Sequence, residues 1–320
     1  MRGGTAHSCT VCGEINNSEL VLRKWQGEKS NGNITLCRCG QCQAIYMNGY
    51  SELFDEDLYA YYMNYHDLKK DNVYDPLTHK RYLSLLDFFS AHGCGRSILD
   101  VGCGKGDFVD AALNAGWDVA GIELSQSAVD IAQRFCLPVI KMDFFSEQIK
   151  NSSRDIVTMF EVIEHVPNPG EFLSRAEEIV KPGGLVYLTT PNFNSLDRRL
   201  LGAGWDAVHR EHLTYFTPKT LINAVRKGTT FEVVHLETRN ISTQLIRAIR
   251  SLSSSDGNAV NRDCIVSNTD NTGSTRDMIH NNIENSTTLR LLKRMANMIL
   301  NVTALGSTIV ILLKRPTCNS

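Results

Sequence analysis

The sequence predicts an α/β protein in which a seven-stranded, mainly parallel sheet carries helices on both faces and follows a small β-rich module. Three observations carry this expectation. From residue 97 onward, short apolar runs of strand length alternate with stretches of helical periodicity; strands separated by helices of that length pair in parallel, because each crossover returns the chain to the same end of the sheet. The run Ile98-Leu99-Asp100-Val101 feeds into Gly102-Cys103-Gly104-Lys105-Gly106. That is a strand ending in a turn of small residues before a helix, a geometry that lets backbone approach a ligand. Five of the ten cysteines (Cys9, Cys12, Cys37, Cys39 and Cys42) fall in the first 42 residues, a stretch too short to build much apolar core.

Taken in order, residues 1–50 contain Cys9-Thr10-Val11-Cys12 and Cys39-Gly40-Gln41-Cys42. Between them Asn31-Gly32-Asn33 separates two apolar runs, 20–22 and 34–36, as strand, turn, strand. Four thiolates delivered by two C-x2-C turns suit a closed tetrahedral zinc site of ribbon type, with no open position and so a structural role. Cys37 is an alternative to Cys39; Cys39 preserves the paired spacing. Residues 51–95 gather Tyr59, Tyr61, Tyr62, Tyr65 and Tyr74 among acids, then an amphipathic helix at 75–89; they are expected to connect and cap.

Strands are expected at 98–101, 117–122, 138–140, 155–160, 185–189, 231–236 and 307–313, and helices at 108–114, 127–135, 170–180 and 218–226. Residues 96–240 with 304–316 form the expected main domain. Residues 241–303 read as a helical insert around a Ser/Asn-rich segment, 251–288, with too few large apolar residues to fix a structure. Its second helix carries the stripe Leu289, Leu292, Ala296 and Ile299. Packing on the main domain is the expected fate of that stripe, and docking at a membrane surface through Arg290, Lys293 and Arg294 is the alternative.

With 33 basic and 35 acidic residues the formal charge is −2, which supplies no global field for nucleic acid or anionic lipid. No run reaches the roughly 20 apolar residues that span a bilayer, and the first five residues hold no apolar signal core. Clustered thiols without such a leader suggest metal in a reducing, cytoplasmic setting.

The glycines fall as G-x-G-x-G, with Asp107 where a dinucleotide fingerprint needs Gly or Ala. Further features follow in order: Glu123 at the end of the second strand, Asp143-Phe144 after the third, Phe160-Glu161-Val162-Ile163-Glu164-His165 leaving the fourth, and Lys181-Pro182-Gly183-Gly184 before the fifth. In these residues the chain resembles the class I S-adenosylmethionine-dependent methyltransferases, whose sheet is Rossmann-like, from about 97 to 236 and again from 306. The resemblance implies S-adenosylmethionine as cofactor. It assigns Asp100, Gly102, Cys103, Gly104, Gly106, Glu123, Leu124, Asp143, Phe144 and Glu161 to its site, with Glu123 on the ribose hydroxyls, Asp143 on the adenine amino group and Phe144 stacking on the base. By itself, Asp143 reads equally well as a turn residue.

The stretch Glu161-Val162-Ile163-Glu164-His165 is also similar to the ubiquinone O-methyltransferases, which implies magnesium at Glu161, Glu164 and His165. Its alternative reading is local hydrogen bonding. The segment 39–48 looks like the end of cysteine ribbons in bacterial methyltransferases, deoxysugar C-methyltransferases among them; those carry a further domain not matched here, which directs the expectation away from sugar carbon. After the fifth strand, residues 190–194 and 204–216 mix Trp205, His209, Arg210, His212 and Tyr215, a composition expected to line an acceptor pocket. His212 is the preferred base, His165 the second candidate, and His209 is expected in solvent. The expected function is methyl transfer to a small-molecule or lipid-linked acceptor, such as a sugar or quinone/phenol hydroxyl. The alternative is a zinc-ribbon binding protein on a non-catalytic methyltransferase fold. Near-neutral charge disfavours nucleic acid as substrate, peripheral membrane contact is compatible with the sequence, and no oligomeric state is specified by it.

Overall fold

The computed structural model describes residues 8–15, 17–25, 34–48, 76–93, 95–208, 211–242, 244–246, 248 and 287–317. The expected turn at 31–33, the tyrosine-rich stretch 51–75, His209 and residues 251–286 of the expected insert lie outside them. Three strands come first: β1 (Asn17–Trp25), β2 (Ile34–Cys39) and β3 (Ile45–Met47). Helix α1 (Pro76–Ala91) leads into β4 (Ser97–Val101), α2 (Asp107–Asn114), β5 (Asp118–Glu123), α3 (Gln126–Arg134) and β6 (Val139–Lys141). Then follow β7 (Arg154–Phe160), α4 (Pro169–Ile179), β8 (Val180–Pro191), α5 (Leu196–Leu201), β9 (Thr214–Tyr215), α6 (Pro218–Gly228), β10 (Glu232–Arg239), α7 (Thr287–Thr303) and β11 (Thr308–Lys314).

The main sheet has the order β10-β11-β8-β7-β4-β5-β6, and β11 runs antiparallel to both its neighbours. The remaining pairs are parallel. Successive strand residues face opposite sides, so an apolar run in a doubly covered sheet feeds two cores at once. Ile98, Val119, Ile156, Leu185 and Leu312 pack with Leu86 and Phe89 of α1 and Phe108 and Val109 of α2. Leu99, Val101, Val157, Val186 and Ile311 join Leu173 and Ala176 of α4 and Leu221 and Val225 of α6. The helices start where local chemistry satisfies their first amide groups. Asn168 caps α4 ahead of Pro169, and Thr217 forms a capping box ahead of Pro218 on α6.

Between β5 and β7 the chain direction switches across β4, and such a reversal opens a crevice at the carboxyl ends of the strands. Strand β8 extends across the expected Lys181-Pro182-Gly183-Gly184 loop, because Gly183 and Gly184 exchange backbone bonds with Arg315 beyond β11.

The amino-terminal strands build a second sheet, β1-β2-β3-β9, so its fourth strand comes from the far side of the main sheet's sequence. Strand β9 pairs with β3 through Ile45 opposite Tyr215 and Tyr46 opposite Thr214. Met47 N–H donates to the Leu213 carbonyl at 2.9 Å, and the hydroxyls of Thr10 and Thr214 meet at 2.8 Å.

Of the stripe expected to pack inward, the side chains of Leu289 and Leu292 lie outside the described residues, and the other two face solvent. On α7, Ala296 and Ile299 are exposed, and the helix docks instead through buried Leu300 and through Asn297 and Asn301, whose Oδ1 atoms accept from the backbone amides of Asn240 and Thr238. Polar bonds to the edge strand β10 thus hold its carboxyl half. Among the described residues no helix is long and apolar enough to cross a membrane.

Candidate functional site

The carboxyl ends of β4, β5 and β7 assemble the site. A cavity of about 210 Å3 is lined by Tyr82, Asp100, Gly104, Lys105, Asp107 and Phe160, among others. Gly102, Cys103 and Phe108 complete it. Gly104 has φ +55°, and no atom lies within 4 Å of where its Cβ would stand, so the loop turns bare backbone toward open space. Tyr82 enters from α1, where its ring meets Phe108 and Phe160 edge-on at 5.3 and 6.0 Å. Sequence reasoning missed Tyr82; the amphipathic helix expected at 75–89 gave no sign of which cavity its side chains cover. A larger, open hollow of about 540 Å3 lies beside α4, but its Arg175 is already bonded to Asn151, Glu178 and backbone carbonyls.

Glu123 is buried at the end of β5. Its carboxylate accepts from the amides of Gly104 (2.9 Å), Leu124 (2.8 Å) and Ser125 (2.9 Å), so it braces the glycine loop against β5. Asp100 is also buried and accepts from the Thr158 hydroxyl at 2.6 Å. Burial raises its carboxyl from an ordinary 3.8 to about 7, with the Thr158 bond opposing and the Glu123 charge adding. The fold therefore favours protonated Asp100: the stability this group contributes is complete below the ordinary value and is lost as pH rises through the folded value. Asp100→Asn keeps the acceptor for Thr158 and removes the titration. Its melting temperature in the ligand-free protein should gain on the wild type more at about pH 8 than at about pH 5, and an equal shift at both would show that Asp100 does not titrate there.

Asp143 and Phe144 sit apart from the cavity lining. Asp143 is exposed and its Oδ1 accepts from the Phe145 amide at 2.7 Å, which is the turn reading. Phe144, expected to stack on a base, is instead buried in the core, 5.0 Å from the Phe172 ring. An aromatic ring beside an apolar helix face loses more water by turning inward than by lining a polar groove.

Directly after β7 the backbone makes a tight turn, with Glu161 at φ +54°. The turn touches the glycine loop, since a Cβ on Gly102 would meet Val162 Cγ2 at 2.8 Å. Glu164, His165 and His212 bring a carboxylate oxygen and two imidazole nitrogens within 4.8 Å of one another. Glu161 is not in this group; its side chain is exposed. His212 reaches this cluster because Leu213 and Thr214 both donate backbone bonds to the Glu164 carbonyl, at 2.8 and 3.1 Å. His165 Nδ1 bonds the Glu211 carbonyl at 2.9 Å and His212 Nδ1 the Ala207 carbonyl at 2.8 Å. A carbonyl only accepts, so both Nδ1 atoms carry the proton and Nε2 is the basic nitrogen of each ring. Burial pushes His165 down to about 4, which keeps it neutral. The Glu164 carboxyl is 1% exposed with neither oxygen hydrogen-bonded; burial first, then the Glu161 charge, raise it well above the usual carboxylate range.

The aromatic residues expected to line an acceptor pocket have another role. Phe193, Trp205, Val208 and Tyr215 are buried with Leu36, Ile45 and Met47 of the amino-terminal sheet. That sheet holds the second cluster, Cys9, Cys12, Cys39 and Cys42. Cys9 and Cys42 sulfurs are 3.6 Å apart and Cys12 and Cys39 sulfurs 3.3 Å apart, with all four within 4.8 Å. A tetrahedron with zinc–sulfur bonds of about 2.3 Å has edges of about 3.8 Å, a spacing that lies within the range of these sulfur separations. The Cys42 amide also points at Cys39 Sγ, at 3.4 Å. Cys37, the alternative ligand, lies buried on β2 opposite Tyr46, outside the cluster.

A family profile described as a methyltransferase domain matches residues 74–236, about half of the chain. The ubiquinone biosynthesis O-methyltransferase of Shewanella halifaxensis is 29% identical over 189 residues, covering 53% of this chain and 78% of that protein. The enzyme of the same name from Methylococcus capsulatus is 34% identical over 143 residues, covering 42% of this chain and 58% of that protein, less than two thirds of its length. A solved S-adenosylmethionine-dependent methyltransferase from Archaeoglobus fulgidus superposes with a TM-score of 0.50 at 18% identity, covering 79% of this chain and 99% of that one, and at that identity it speaks for the fold alone.

Proposed function

The chain belongs to the methyltransferase-domain family, and from that premise we propose that it transfers the methyl group of S-adenosylmethionine to a hydroxyl of a small or lipid-linked acceptor of quinone/phenol type. The observation that carries this reading is the buried Glu164–His165–His212 cluster, two of whose members follow the turn residue Val162 that abuts Gly102 of the glycine loop. The relatives' names agree with a phenolic acceptor.

In-line transfer forms an oxygen–carbon bond as the sulfonium–carbon bond breaks, leaving S-adenosylhomocysteine as a neutral thioether; the acceptor proton must leave. The residues supply alignment and that proton's destination. Backbone at Gly104, braced by Glu123, holds the cofactor at the end of β4. His212 Nε2, oriented by the Ala207 carbonyl, is the base we favour for the hydroxyl proton. Glu164, His165 and His212 also form a fitting set for a divalent ion, which would displace the proton that burial keeps on Glu164 and would take His212 Nε2 as a ligand in place of its role as base. One carboxylate with two imidazoles suits a transition ion better than the expected magnesium, which prefers oxygen ligands. When bound, such an ion would make a phenolic hydroxyl more acidic. We assign Cys9, Cys12, Cys39 and Cys42 to structural zinc.

With methyl-labelled S-adenosylmethionine and a catechol-bearing acceptor, label should appear on the acceptor oxygen, faster with manganese than with a chelator. No transfer to any phenol or sugar hydroxyl, in protein that binds S-adenosylhomocysteine, would leave the non-catalytic scaffold as the better reading.

A further inference from the structure

A cluster of arginines lies where the amino-terminal sheet meets the main domain. Arg198 of α5 lays its guanidinium over the Phe193 ring, 4.5 Å from the ring centre, and its buried Nε has no hydrogen-bond partner. Arg199 is exposed, and its Nη2 donates to Asn194 Oδ1 at 2.7 Å. The third member comes from the other sheet. Arg38 of β2 stands opposite Ile45 of β3, which in turn stands opposite Tyr215 of β9, so these residues share one face of that sheet. Ile45, Tyr215 and Phe193 are buried together, which puts exposed Arg38 on the same seam as Arg198. Burial lowers the pKa of Arg198 first, and the charges of Arg199 and Arg38 lower it further. Neither Arg198 nor Arg199 forms an ion pair with a described carboxylate. Cations gathered beside an apolar ring repel one another until an anion joins them.

We propose that Arg38, Arg198 and Arg199 bind a phosphate monoester or diphosphate group at this seam. A guanidinium fork pairs its N–H donors with two oxygens of one anion. A carboxylate has only those two oxygens and a single charge, enough for one fork. A phosphate ester or diphosphate adds further oxygens and a second negative charge, and so serves several forks together. The bound group ties β2 of the ribbon to α5 of the main domain, across the ring of Phe193. The seam also adjoins the proposed base, since the Tyr215 ring is 5.8 Å from Phe193 and 6.1 Å from His212. A phosphate carried by the acceptor itself is therefore one source of the group, and that part of the inference rests on the acceptor reading above. A lipid headgroup is the other source; the chemistry of the site is the same for both.

Calorimetry of the full chain with inorganic pyrophosphate in magnesium-free buffer tests the site. The wild type should bind it, more weakly as salt rises, and should melt at a higher temperature in its presence. Arg198→Met should weaken binding at least about tenfold, the scale of a lost charge-assisted hydrogen bond. Arg38→Gln and Arg199→Gln, both at exposed positions, should each weaken it about threefold, and they carry the test if Arg198→Met does not fold. Arg134→Gln, at an exposed position on α3, should leave it unchanged. Absence of binding by the wild type at about 1 mM, unchanged affinity in the Arg198 and Arg38 variants, or malonate bound as tightly as pyrophosphate would each overturn the proposal. Displacement of pyrophosphate by a soluble sugar diphosphate supports a phosphate borne by the acceptor, and displacement by phosphatidate vesicles alone supports a headgroup. S-adenosylhomocysteine titrated into the same samples separates the two readings: heat from it but not from pyrophosphate sinks the anion site alone, and heat from pyrophosphate alone sinks the transferase reading.

Discussion

Gly104→Val should abolish measurable binding of S-adenosylhomocysteine in a protein that keeps its fold. Residue 104 sits at φ +55°, where an L side chain costs about 1–2 kcal/mol and a β-branched one more. The Cβ would meet no protein atom within 4 Å, so folding suffers only that strain while the side chain enters the space the ligand needs. That strain is common to the free and the bound protein, so the occlusion is what lowers affinity, by at least about 100-fold. Titration calorimetry reads the affinity and circular dichroism the fold. Gly106 provides the contrast: its Cβ would meet Leu137 Cδ1 at 2.8 Å, so Gly106→Val should damage the helix–sheet packing itself. Unchanged affinity in folded Gly104→Val protein would remove this loop from the cofactor site.

If the four cysteines hold zinc as proposed, its loss should disable transfer while sparing cofactor binding. Cys39→Ser is expected to lower turnover about 100-fold, the scale of a misplacement of about 1 Å in a catalytic group, and to leave S-adenosylhomocysteine affinity within a few fold. The path is short. The thiolate turns are continuous with β2 and β3, β3 pairs with β9, and His212 lies two residues before β9 on a segment bonded to the Glu164 carbonyl. Lys227 of α6 also donates to the Cys12 carbonyl at 2.9 Å. Elemental analysis should find one zinc per chain in the wild type and in Cys37→Ser, and none in Cys39→Ser. Full turnover in zinc-free protein would show that the ribbon does not hold His212 in place.

Much of the main sheet was readable in the residues, because period-two apolar runs separated by helical stretches leave one economical arrangement. Asp100, the glycines and Glu123 could be placed at strand ends for the same reason, as could the pairing of Cys9 and Cys12 with two of the three later thiols. Each of these depends on residues close in sequence, where spacing fixes geometry.

What only the tertiary structure decided are contacts between distant segments. No periodicity announces that Thr214 and Tyr215 extend a sheet begun at residue 17, since a two-residue strand has no period. From that pairing follow the burial of Trp205 and Phe193 under the ribbon and the meeting of His212 with Glu164 and His165. Phe144 is the same lesson in reverse: its place after a strand suggested a ligand, but the apolar face of α4 was closer. At the carboxyl half of α7, two asparagines bond the end of an edge strand while Ala296 and Ile299 face outward. Composition alone could not weigh those bonds against the burial of Ile299, because their strength depends on where the unpaired amides of Thr238 and Asn240 come to lie.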